Sequence, residues 1–289
     1  KQKDKLLLEV SKDPKNISWS RSLKKQFIDG KKLNFDESKI IECNYKPFTK
    51  SYLYFCDKLN EEVYKMPKIF NKTITKNKVI MVKNRWNSGQ IALMTDQLPL
   101  YSPDGGEQCF PLFYETKIEK LGGLFENNKN ENQSNSIHGI SDFGLSKFSE
   151  KYQNKKISKN DVFYYIYGLL YSQEYLNKYK LNLSKDLPHI PIVKKYDDFK
   201  NFSLLGKKLS NLHTNYNDEE KYPIEIINKK NDKYDKLQLF KVNKMRYLSK
   251  NQKKDLSTII YNKHITLKNI PLEAYSYIIY GKSAIDWIL

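Results

Sequence analysis

The chain has 289 residues and carries 51 lysines and arginines against 33 aspartates and glutamates, a formal net charge of +18 at pH 7. Its 39% apolar and 13% aromatic residues are sufficient for a hydrophobic core, which argues against a disordered chain. No apolar run approaches the ~18 residues of a transmembrane helix, so we predict no membrane partner. The first residues, Lys-Gln-Lys-Asp, contain neither an initiator Met nor a signal-peptide core, and we expect a cytoplasmic fragment of a longer polypeptide.

The positive charge is the first indication of function. Lysine, asparagine, isoleucine and tyrosine are abundant, whereas arginine occurs only at Arg21, Arg85 and Arg246. An AT-rich coding sequence would produce that bias whatever the function, so part of the lysine content is background. The bias does not exclude acidic residues, however, and the remaining excess of cations favours a polyanionic partner such as nucleic acid.

The cysteines and histidines do not have the spacing of a metal site. Cys43, Cys56 and Cys109 are odd in number and form no C-x-x-C pair, as expected of thiols in a reducing compartment. We therefore predict no metal and no cofactor bound by this chain. The histidines, which lack the short separations of zinc ligands, are His138, His189, His213 and His264.

The first half of the chain starts with a polar segment in which we predict a short helix over Ser20–Phe27. From Tyr45 onward, short apolar runs are bounded by Asn, Gly, Pro, Asp and Lys clusters, a pattern typical of strands. Pro103–Gly106 predicts a turn, because Asp and Gly tolerate the backbone angles of a reversal. Asn127–Asn135 is polar and without periodicity, which indicates a flexible surface insertion. The predicted strands are Tyr52–Phe55, Val79–Val82, Ile91–Met94 and Phe110–Tyr114.

The second half of the chain starts with a predicted amphipathic helix whose first turn Asn160 or Asp161 can cap. Pro188 and Pro191 indicate an extended segment before a further helix. The 3.6-residue spacing of apolar residues defines the inner face of each helix. These inner faces are Val162, Tyr165, Ile166, Leu169, Leu170 and Leu176 in the first helix, and Phe199, Phe202, Leu205, Leu209 and Leu212 in the second.

Strand patterns return near the C-terminus. We expect Pro271 to begin a helix, Gly281 to end it, and Ser283 to cap a last turn through Trp287. The predicted strands are Ile224–Ile227, Leu237–Leu248, Thr258–Tyr261 and Ile265–Leu267.

These elements predict an α+β protein with two strand-rich regions, mostly antiparallel, around a helical middle segment. We expect residues 1–44 to link to an upstream domain and residues 45–126 to form a first, strand-rich lobe that contacts DNA. Residues 127–159 are the predicted flexible insertion. Residues 160–289 form the second lobe, with helices and strands.

Two windows without acidic residues are the candidate nucleic-acid contacts. The first lies between Glu62 and Asp96, and its segment Lys83–Gln90 combines cations, amides and an indole. Lysine and arginine neutralise phosphates, arginine can bind guanine, and asparagine or glutamine can bind adenine. The same pattern also fits a solvated pair of strands in which Trp86 only packs. The predicted contacts are Lys76, Lys78, Lys83, Asn84, Arg85, Trp86, Asn87 and Gln90.

The second window runs from Lys236 to Lys254. Alternation along a predicted strand places Lys244 and Arg246 on one face, and we expect these two side chains to contact DNA phosphates. The opposite face carries Lys241, Asn243 and further residues. An ordinary edge strand, which carries lysine to prevent aggregation, would show the same pattern.

A nuclease is the enzymatic alternative. Asp96 followed by Glu115-Thr-Lys117 is similar to the D…E-x-K pattern in which two carboxylates hold a divalent cation and a lysine assists the attacking water. In a lysine-rich sequence this E-x-K pattern also recurs by chance, and Glu115 and Lys117 fit the exposed end of a strand. Neither a P-loop nor a nucleophile elbow occurs in the sequence.

The segment Tyr45–Phe55 resembles the Y-R-P-F-D-x-R-Y-x-Y-Y segment that follows the methyltransferase core of type ISP restriction–modification enzymes. Those enzymes are single polypeptides with nuclease, translocase, methyltransferase and target-recognition domains. Lys46, Thr49 and Ser51 depart from the family pattern, and Lys46 and Lys50 complete the predicted DNA contacts. Further segments that resemble the family, in order, are Val82–Arg85, Phe110–Phe113, Asp161–Ser172, Leu187–Pro191, Leu209–His213 and Ile270–Trp287.

The resemblance implies a target-recognition domain that binds double-stranded DNA and presents its site to an upstream adenine methyltransferase and translocase–nuclease. Such a domain is not catalytic alone, and S-adenosylmethionine, ATP and Mg²⁺ would serve the upstream domains. The Asn-Pro-Pro-Tyr motif of adenine methylation is absent from the sequence. The alternatives are a stand-alone metal-dependent nuclease using Asp96, Glu115 and Lys117, or a module that binds RNA or protein.

Overall fold

The computed structural model describes residues 5, 19–61, 63–71, 77–100, 107–117, 134–153, 155–228 and 236–289. Within these ranges two strand-rich regions lie on either side of a helical middle in the chain, which confirms the predicted α+β class. Strand pairing is antiparallel except between β1 and β5 and at a single bridge. The strands are β1 (Ile40–Lys46), β2 (Thr49–Tyr54), β3 (Val79–Val82), β4 (Ala92–Thr95), β5 (Leu98–Pro99), β6 (Gln108–Pro111), β7 (Phe113–Lys117), β8 (Ser134–His138), β9 (Glu225–Asn228), β10 (Arg246–Lys250), β11 (Lys253–Ile260), β12 (Ile265–Lys268), β13 (Ile278–Ile279) and β14 (Lys282–Ser283).

The helices account for most of the middle of the chain. The N-terminal helix predicted over Ser20–Phe27 is present, with the Ser20 hydroxyl capping its first turn. No helix in the described part of the chain has the length and apolar character needed to cross a membrane. The helices are α1 (Arg21–Ile28), α2 (Met66–Ile69), α3 (Asp142–Lys151), α4 (Lys159–Leu170), α5 (Gln173–Lys178), α6 (Lys180–Leu183), α7 (Tyr196–Thr214), α8 (Lys236–Leu239) and α9 (Ala284–Ile288).

The first strand-rich region contains two small sheets, in the orders β2-β1-β5 and β4-β3-β6, and the ladder β7–β8. The prediction Val79–Val82 coincides with β3, whose four residues are all buried. The strand predicted over Phe110–Tyr114 is divided at Leu112, because the Leu112 N–H leaves the ladder and donates to the Lys78 carbonyl at 2.7 Å. The turn predicted at Pro103–Gly106 lies outside the described residues.

The predicted flexible insertion, residues 127–159, is wrong where the structure describes it. Residues Ser134–His138 form β8, which pairs with β7, and residues Asp142–Lys151 form α3. The Ser141 hydroxyl caps α3 by accepting from the Gly144 N–H. The predicted domain boundaries at residues 44, 126 and 159 remain predictions.

The helical middle depends on the pair α4 and α7, and its first cap differs from the prediction. Ser158, rather than Asn160 or Asp161, is the N-cap of α4, and Asp161 completes a capping box by accepting from the Ser158 N–H. Two N–H groups are satisfied reciprocally in this arrangement. Lys200 of α7 also binds Asp161, at 2.7 Å, so the cap joins the two helices.

The inner face of α7 also differs from the prediction. Phe199 is fully buried, but Leu205 and Leu212 are 60% and 45% exposed. The helices approach so closely that a Cβ on Gly206 would lie 2.0 Å from the Tyr164 carbonyl oxygen. Large side chains do not fit in such a contact, and small ones replace them. The buried small residues of α7 are Ser203, Gly206, Ser210 and Thr214.

One large core joins these helices to the first strand-rich region. Its most buried aromatic side chains include Phe163, Tyr165 and Tyr167 of α4 and Phe199 of α7. They pack with apolar residues of β3 and β4, among them Ile80. Strand β3 therefore has buried residues on both faces, which explains its continuous apolar run.

The second strand-rich region is a sheet in the order β10-β11-β12-β9. The strand predicted over Leu237–Leu248 is wrong, because β10 begins only at Arg246 and is preceded by the helical turn α8 and a loop. The Asn262 amide donates to the carbonyls of Leu239 and Lys241. Those carbonyls are held by a side chain instead of a strand ladder.

The C-terminal segment, residues 270–289, ends the fold. Pro271 precedes a single 3-10 turn, and Gly281, with φ of 82°, lies in the tight turn between β13 and β14 instead of ending a helix. Glycine adopts this left-handed conformation at no steric cost. The prediction for Ser283 is confirmed, since its hydroxyl accepts from the Asp286 N–H and caps α9.

Candidate nucleic-acid interface

The predicted contacts of the first window are distributed between the interior and the surface. Lys78 is half-buried, and its Nζ donates to Ser210 Oγ at 3.1 Å, Asn211 Oδ1 at 2.6 Å and Thr214 Oγ1 at 3.4 Å, all on α7. Burial lowers the pKa of Lys78 from its usual range. Its ammonium therefore joins the strand region to α7. Lys76 lies outside the described residues.

Lys83 and Trp86 are also interior side chains, each only 5% exposed. The Trp86 indole N–H donates to the Gly89 carbonyl, and its backbone N–H donates to the Leu183 carbonyl. The aromatic ring therefore packs in the core. Neither side chain is positioned to contact a DNA duplex on the surface.

The loop that follows β3 nevertheless presents polar groups to solvent. Arg85 and Asn87 are exposed and Asn84 is half-buried. The Gln90 N–H donates to the Ile278 carbonyl at 2.8 Å, which fixes the end of the loop to the C-terminal segment. Arg85 has a φ of 55°, a left-handed conformation that is uncommon for non-glycine residues.

The two lysines of the Tyr45–Phe55 segment lie on the β1–β2 hairpin. Lys50 is exposed, and its Nζ is 4.0 Å from a Glu42 carboxylate oxygen. An exposed pair at this distance contributes little to stability. The Lys46 ammonium lies 5.8 Å from the centre of the Tyr45 ring. Both lysines are therefore carried by the β1–β2 hairpin of the first strand-rich region.

The predicted contacts of the second window lie together in one cleft of about 640 Å³, which we call the basic cleft. Among the described residues that line it, four side chains are cationic and none is acidic. Four like charges repel one another, and a polyanion that binds between them removes this repulsion. The residues that line the basic cleft are Gln238, Lys241, Asn243, Lys244, Arg246, Ile260, Asn262, Lys263 and His264.

The cations of the basic cleft come from three pieces of chain. Lys241 and Lys244 lie on the loop before β10, Arg246 is the first residue of β10, and Lys263 is in the turn between β11 and β12. Pairing of Arg246 with Ile260 brings these pieces together. Among the described residues none of the four cations has an ion pair or a side-chain hydrogen bond. Their charges remain available for an external anion.

Asn262 holds the loop of the basic cleft in place. Its Nδ2 donates to the Leu239 carbonyl at 2.8 Å and to the Lys241 carbonyl at 3.2 Å. Its Oδ1 accepts from the N–H groups of His264 and Ile265, both at 2.8 Å. Because the amide is bonded on both sides, Asn262 positions the loop and is not itself free to contact a base.

The sequence analysis predicted only some of the residues that line the basic cleft. Lys244 and Arg246 were predicted contacts, and Lys241 lies in the same window. Lys263 and Asn262 were missed, because they follow Asp255 in the sequence and only strand pairing returns them to Arg246. A run of Asn, Lys and His in a turn has no local signal that would identify such a role.

The described residues do not form the metal site that the nuclease alternative requires. Within the described ranges no group of three or more His, Cys, Asp or Glu side chains is placed to hold a metal ion. Burial raises the pKa of Asp96, and the Glu115 carboxylate accepts a hydrogen bond from Asn71 at 2.9 Å. The Lys117 side chain lies outside what the structure describes.

A chain of hydrogen bonds, which we call the junction, joins the first strand-rich region, the helical middle and the C-terminal segment. Tyr171 donates its hydroxyl proton to the Ala92 carbonyl at 2.7 Å, and its oxygen lies 3.0 Å from the Tyr277 hydroxyl. Because the Tyr171 proton is committed, Tyr277 must donate to Tyr171. Tyr277 then accepts from His213 Nε2, which is 3.1 Å away.

The same reasoning fixes the other side of His213. With Nε2 protonated in a neutral ring, Nδ1 accepts from the Tyr167 hydroxyl at 2.5 Å, and Tyr167 accepts from the Met94 N–H at 2.9 Å. Burial lowers the pKa of His213 to about 4, consistent with a neutral imidazole. Three of the segments that resemble the type ISP family, Asp161–Ser172, Leu209–His213 and Ile270–Trp287, thus meet in this chain of hydrogen bonds.

A cluster of exposed cations at the edge of a sheet, as in the basic cleft, is a feature of nucleic-acid-binding modules. Residues 1–289 match the family model described as the Type ISP C-terminal specificity domain. The chain belongs to this family. A comparison with curated proteins gives no match.

Three similar solved structures are complexes with DNA. The chain is 32% identical to the ATP-dependent Type ISP restriction-modification enzyme LlaBIII bound to DNA, with a TM-score of 0.73 over 94% of this chain and 16% of that one. It is 32% identical to a nuclease-deletion mutant of the Type ISP enzyme LlaGI in complex with a DNA substrate mimic, with a TM-score of 0.70 over 99% of this chain and 20% of that one.

The third similar structure is the DrdV–DNA complex, determined by electron cryomicroscopy. The identity is 26% and the TM-score is 0.76, over 98% of this chain and 26% of that one. The chain therefore spans between 16% and 26% of the length of the three solved chains.

Proposed function

We propose that this chain is the target-recognition domain of a larger cytoplasmic restriction–modification polypeptide, in which it binds a specific site on double-stranded DNA. Membership of the Type ISP specificity family and the likeness to chains solved with DNA support this proposal. The observation that carries it is the basic cleft, where four cations lie at the edge of a sheet and none of the described lining residues is acidic.

The cleft supplies affinity by a simple electrostatic route. Each lysine or arginine that neutralises a phosphate releases condensed counterions from the duplex, so binding weakens as salt increases. If all four cations of the cleft contact phosphates, affinity should fall about 100-fold between 50 and 200 mM salt. This contribution does not depend on base sequence. Specificity requires side chains that reach base edges.

The first region offers a second set of contacts for the same duplex. Arg85 and Asn87, two of the predicted DNA contacts, are exposed polar residues on the loop after β3. The loop ends at Gln90 on the C-terminal segment, and that segment also binds β10, through the hydrogen bond from Tyr247 to Asp286 at 2.7 Å. One rigid piece of chain therefore connects both surfaces.

In this proposal the chain recognises DNA and performs no bond cleavage or methyl transfer itself. Methylation, translocation and cleavage belong to upstream parts of the same polypeptide, which would use S-adenosylmethionine, ATP and Mg²⁺. The chain would present its site to the upstream methyltransferase. The small fraction of each solved relative that the chain spans leaves room for such domains.

Fluorescence anisotropy with a labelled duplex tests the proposal. We expect binding whose affinity falls steeply with salt and which an excess of duplex DNA, but not double-stranded RNA of equal charge, competes away. A-form RNA has a deep, narrow major groove that side chains do not enter. Equal competition by RNA, or binding that does not change with salt, would contradict the proposal.

A further inference from the structure

The end of the β10–β11 hairpin is a two-residue turn with unusual residues. Ser249 pairs with Lys254 and Lys250 with Lys253, which leaves Asn251 and Gln252 between the strands. Their φ angles are 49° and 61°, both left-handed. Two-residue turns of this type favour Asn-Gly or Gly-Gly. Asparagine suits the first position, whereas glutamine at the second is strained relative to glycine.

The two side chains at this tip face solvent. Asn251 and Gln252 are both exposed, and within the described residues neither side chain makes a hydrogen bond. Each amide therefore has a donor and an acceptor available. A long amide side chain kept at a position where glycine would be more stable, with no internal contact, indicates an external partner.

The β10–β11 hairpin is a two-stranded ribbon whose pairing is interrupted before its tip. Tyr247 pairs with Ile259, but the next residue, Leu248, pairs with Asp255. Three residues of β11, 256–258, have no partner in this ladder, and such an irregularity bends the strands and increases their twist. The tip of the ribbon therefore departs from the plane of the β10-β11-β12-β9 sheet.

Contacts with the C-terminal segment fix the direction of the ribbon. The Tyr247 hydroxyl donates to Asp286 at 2.7 Å, and the Lys254 ammonium lies 5.3 Å from the centre of the Tyr247 ring. The Tyr275 hydroxyl donates to the Leu256 carbonyl at 2.7 Å. A ribbon oriented before binding loses less conformational entropy when it meets its partner.

The distance along β10 connects the tip to the basic cleft. Asn251 is five positions after Arg246, about 16 Å at the usual rise of a strand. The major groove of B-DNA is about 12 Å wide and admits a two-stranded ribbon. Arg246 can therefore bind a phosphate at the edge of the groove while the tip lies inside it. Exposed Lys253 flanks the tip and can bind the opposite strand.

We propose that Asn251 and Gln252 enter the major groove and determine part of the recognised sequence by hydrogen bonds to adenine. Asparagine and glutamine bind the N6 and N7 edge of adenine through two hydrogen bonds. This inference rests on the proposed DNA-binding function and adds the residues that read bases. The basic cleft supplies affinity and the tip supplies sequence preference.

The test is selection of bound duplexes from a random library by the 289-residue protein and by the double variant Asn251→Gly, Gln252→Gly. Glycine suits both turn positions, so the hairpin is retained and only the amides are lost. We expect the wild-type protein to enrich a sequence with at least one A·T pair that the variant no longer prefers. The preference at that pair should fall about 5- to 150-fold, with the salt dependence of binding unchanged.

Asn217→Gly is the matched control, because Asn217 is an exposed turn residue on another part of the surface. It should enrich the same sequence as the wild-type protein. If the double variant also enriches the wild-type sequence, the role of the tip is wrong and the proposed function remains. If the wild-type protein enriches no duplex sequence, both the proposed function and this inference are overturned.

Discussion

The two acid-free windows of the sequence have similar composition, but the structure places their cations differently. In the first, Lys78 binds α7 and Lys83 is buried, so two lysines serve the interior. In the second, Lys241, Lys244 and Arg246 line an open cleft with Lys263. Lys78 and Lys83 flank β3, which lies between β4 and β6, whereas Lys241, Lys244 and Arg246 lie on the loop before β10 and at its first residue, and β10 is at an edge of its sheet. The cations beside the central strand are therefore drawn into the interior, and those beside the edge strand stay at the surface.

The largest expected effect comes from the basic cleft. Replacing all four of its cations with glutamine removes four phosphate contacts, and the slope of log affinity against log salt should become shallower by about 3.6. Between 50 and 200 mM salt, the fold-decrease in the affinity of the variant should therefore be about 100 times smaller than that of the wild-type protein. Anisotropy titrations over a salt series measure both quantities. The variant carries Lys241→Gln, Lys244→Gln, Arg246→Gln and Lys263→Gln.

A matched control removes four exposed lysines elsewhere, with the substitutions Lys194→Gln, Lys195→Gln, Lys207→Gln and Lys208→Gln. Its change in net charge is nearly the same, but these residues do not line the cleft. The slope should stay that of the wild-type protein. An equal decrease in both variants would mean that net charge, rather than the cleft, attracts the duplex.

The second expected effect concerns the pH dependence of folding stability, through His213 in the junction. The folded-state pKa of His213, about 4, lies below the usual ~6.5 of an unfolded histidine. Below pH 6.5 the unfolded chain therefore binds the proton more strongly, and stability is lost as the pH falls from about 6.5 towards 4. Between pH 7.5 and 5 the loss attributable to His213 should be about 2 kcal/mol.

Denaturant unfolding of the wild-type protein and of His213→Gln, each at both pH values, measures this difference. The variant should be less stable at pH 7.5, because hydrogen bonds to Tyr167 and Tyr277 change. Its further loss at pH 5 should be smaller than that of the wild-type protein. A loss of the same size in both would show that His213 does not titrate in this range.

The third expected effect compares one lysine from each window. Lys78→Met removes three hydrogen bonds to α7, and the free energy of unfolding should fall by about 1–2 kcal/mol. The salt slope of DNA binding should not change. Lys244→Met should show the reverse, with stability within about 0.5 kcal/mol of the wild type and a slope shallower by about 1. A large loss of DNA binding in Lys78→Met, with stability unchanged, would remove the distinction between the windows.

The smallest expected effect concerns the exposed part of the first window. Arg85→Gln should weaken duplex binding about 3- to 4-fold at 200 mM salt, as expected for one lost phosphate contact. Its stability should be unaffected, since Arg85 is exposed. Anisotropy and thermal unfolding of the same sample give both numbers. If binding by Arg85→Gln is unchanged, the DNA lies on the C-terminal region alone.

Local patterns in the sequence were sufficient for the fold class and for several elements. The helix predicted over Ser20–Phe27, the cap at Ser283 and the strand Val79–Val82 follow from residues within a few positions of one another. The inner face of α7 could not be predicted in this way. It depends on the contact between Gly206 and Tyr164 on another helix, which makes small residues fit where leucine does not.

As with the fold, only some residues of the candidate site could be predicted from the sequence. Lys244 and Arg246 were identified from charge alone, without the correct local structure. Lys263 and Asn262 reach the cleft only through the pairing of β10 with β11, and the interior position of Trp86 depends on its hydrogen bond to Leu183 of a distant helix. Long-range packing decides which cations remain at the surface, and a window of sequence does not contain it.

Mass spectrometry of lysine acetylation, with and without bound duplex DNA, tests most directly whether the basic cleft is the contact surface. We predict that DNA protects Lys241, Lys244 and Lys263 from modification and leaves Lys207 and Lys208 on α7 as reactive as before. Protection confined to α7 or to the β1–β2 hairpin, with the cleft lysines equally reactive in both states, would contradict the account.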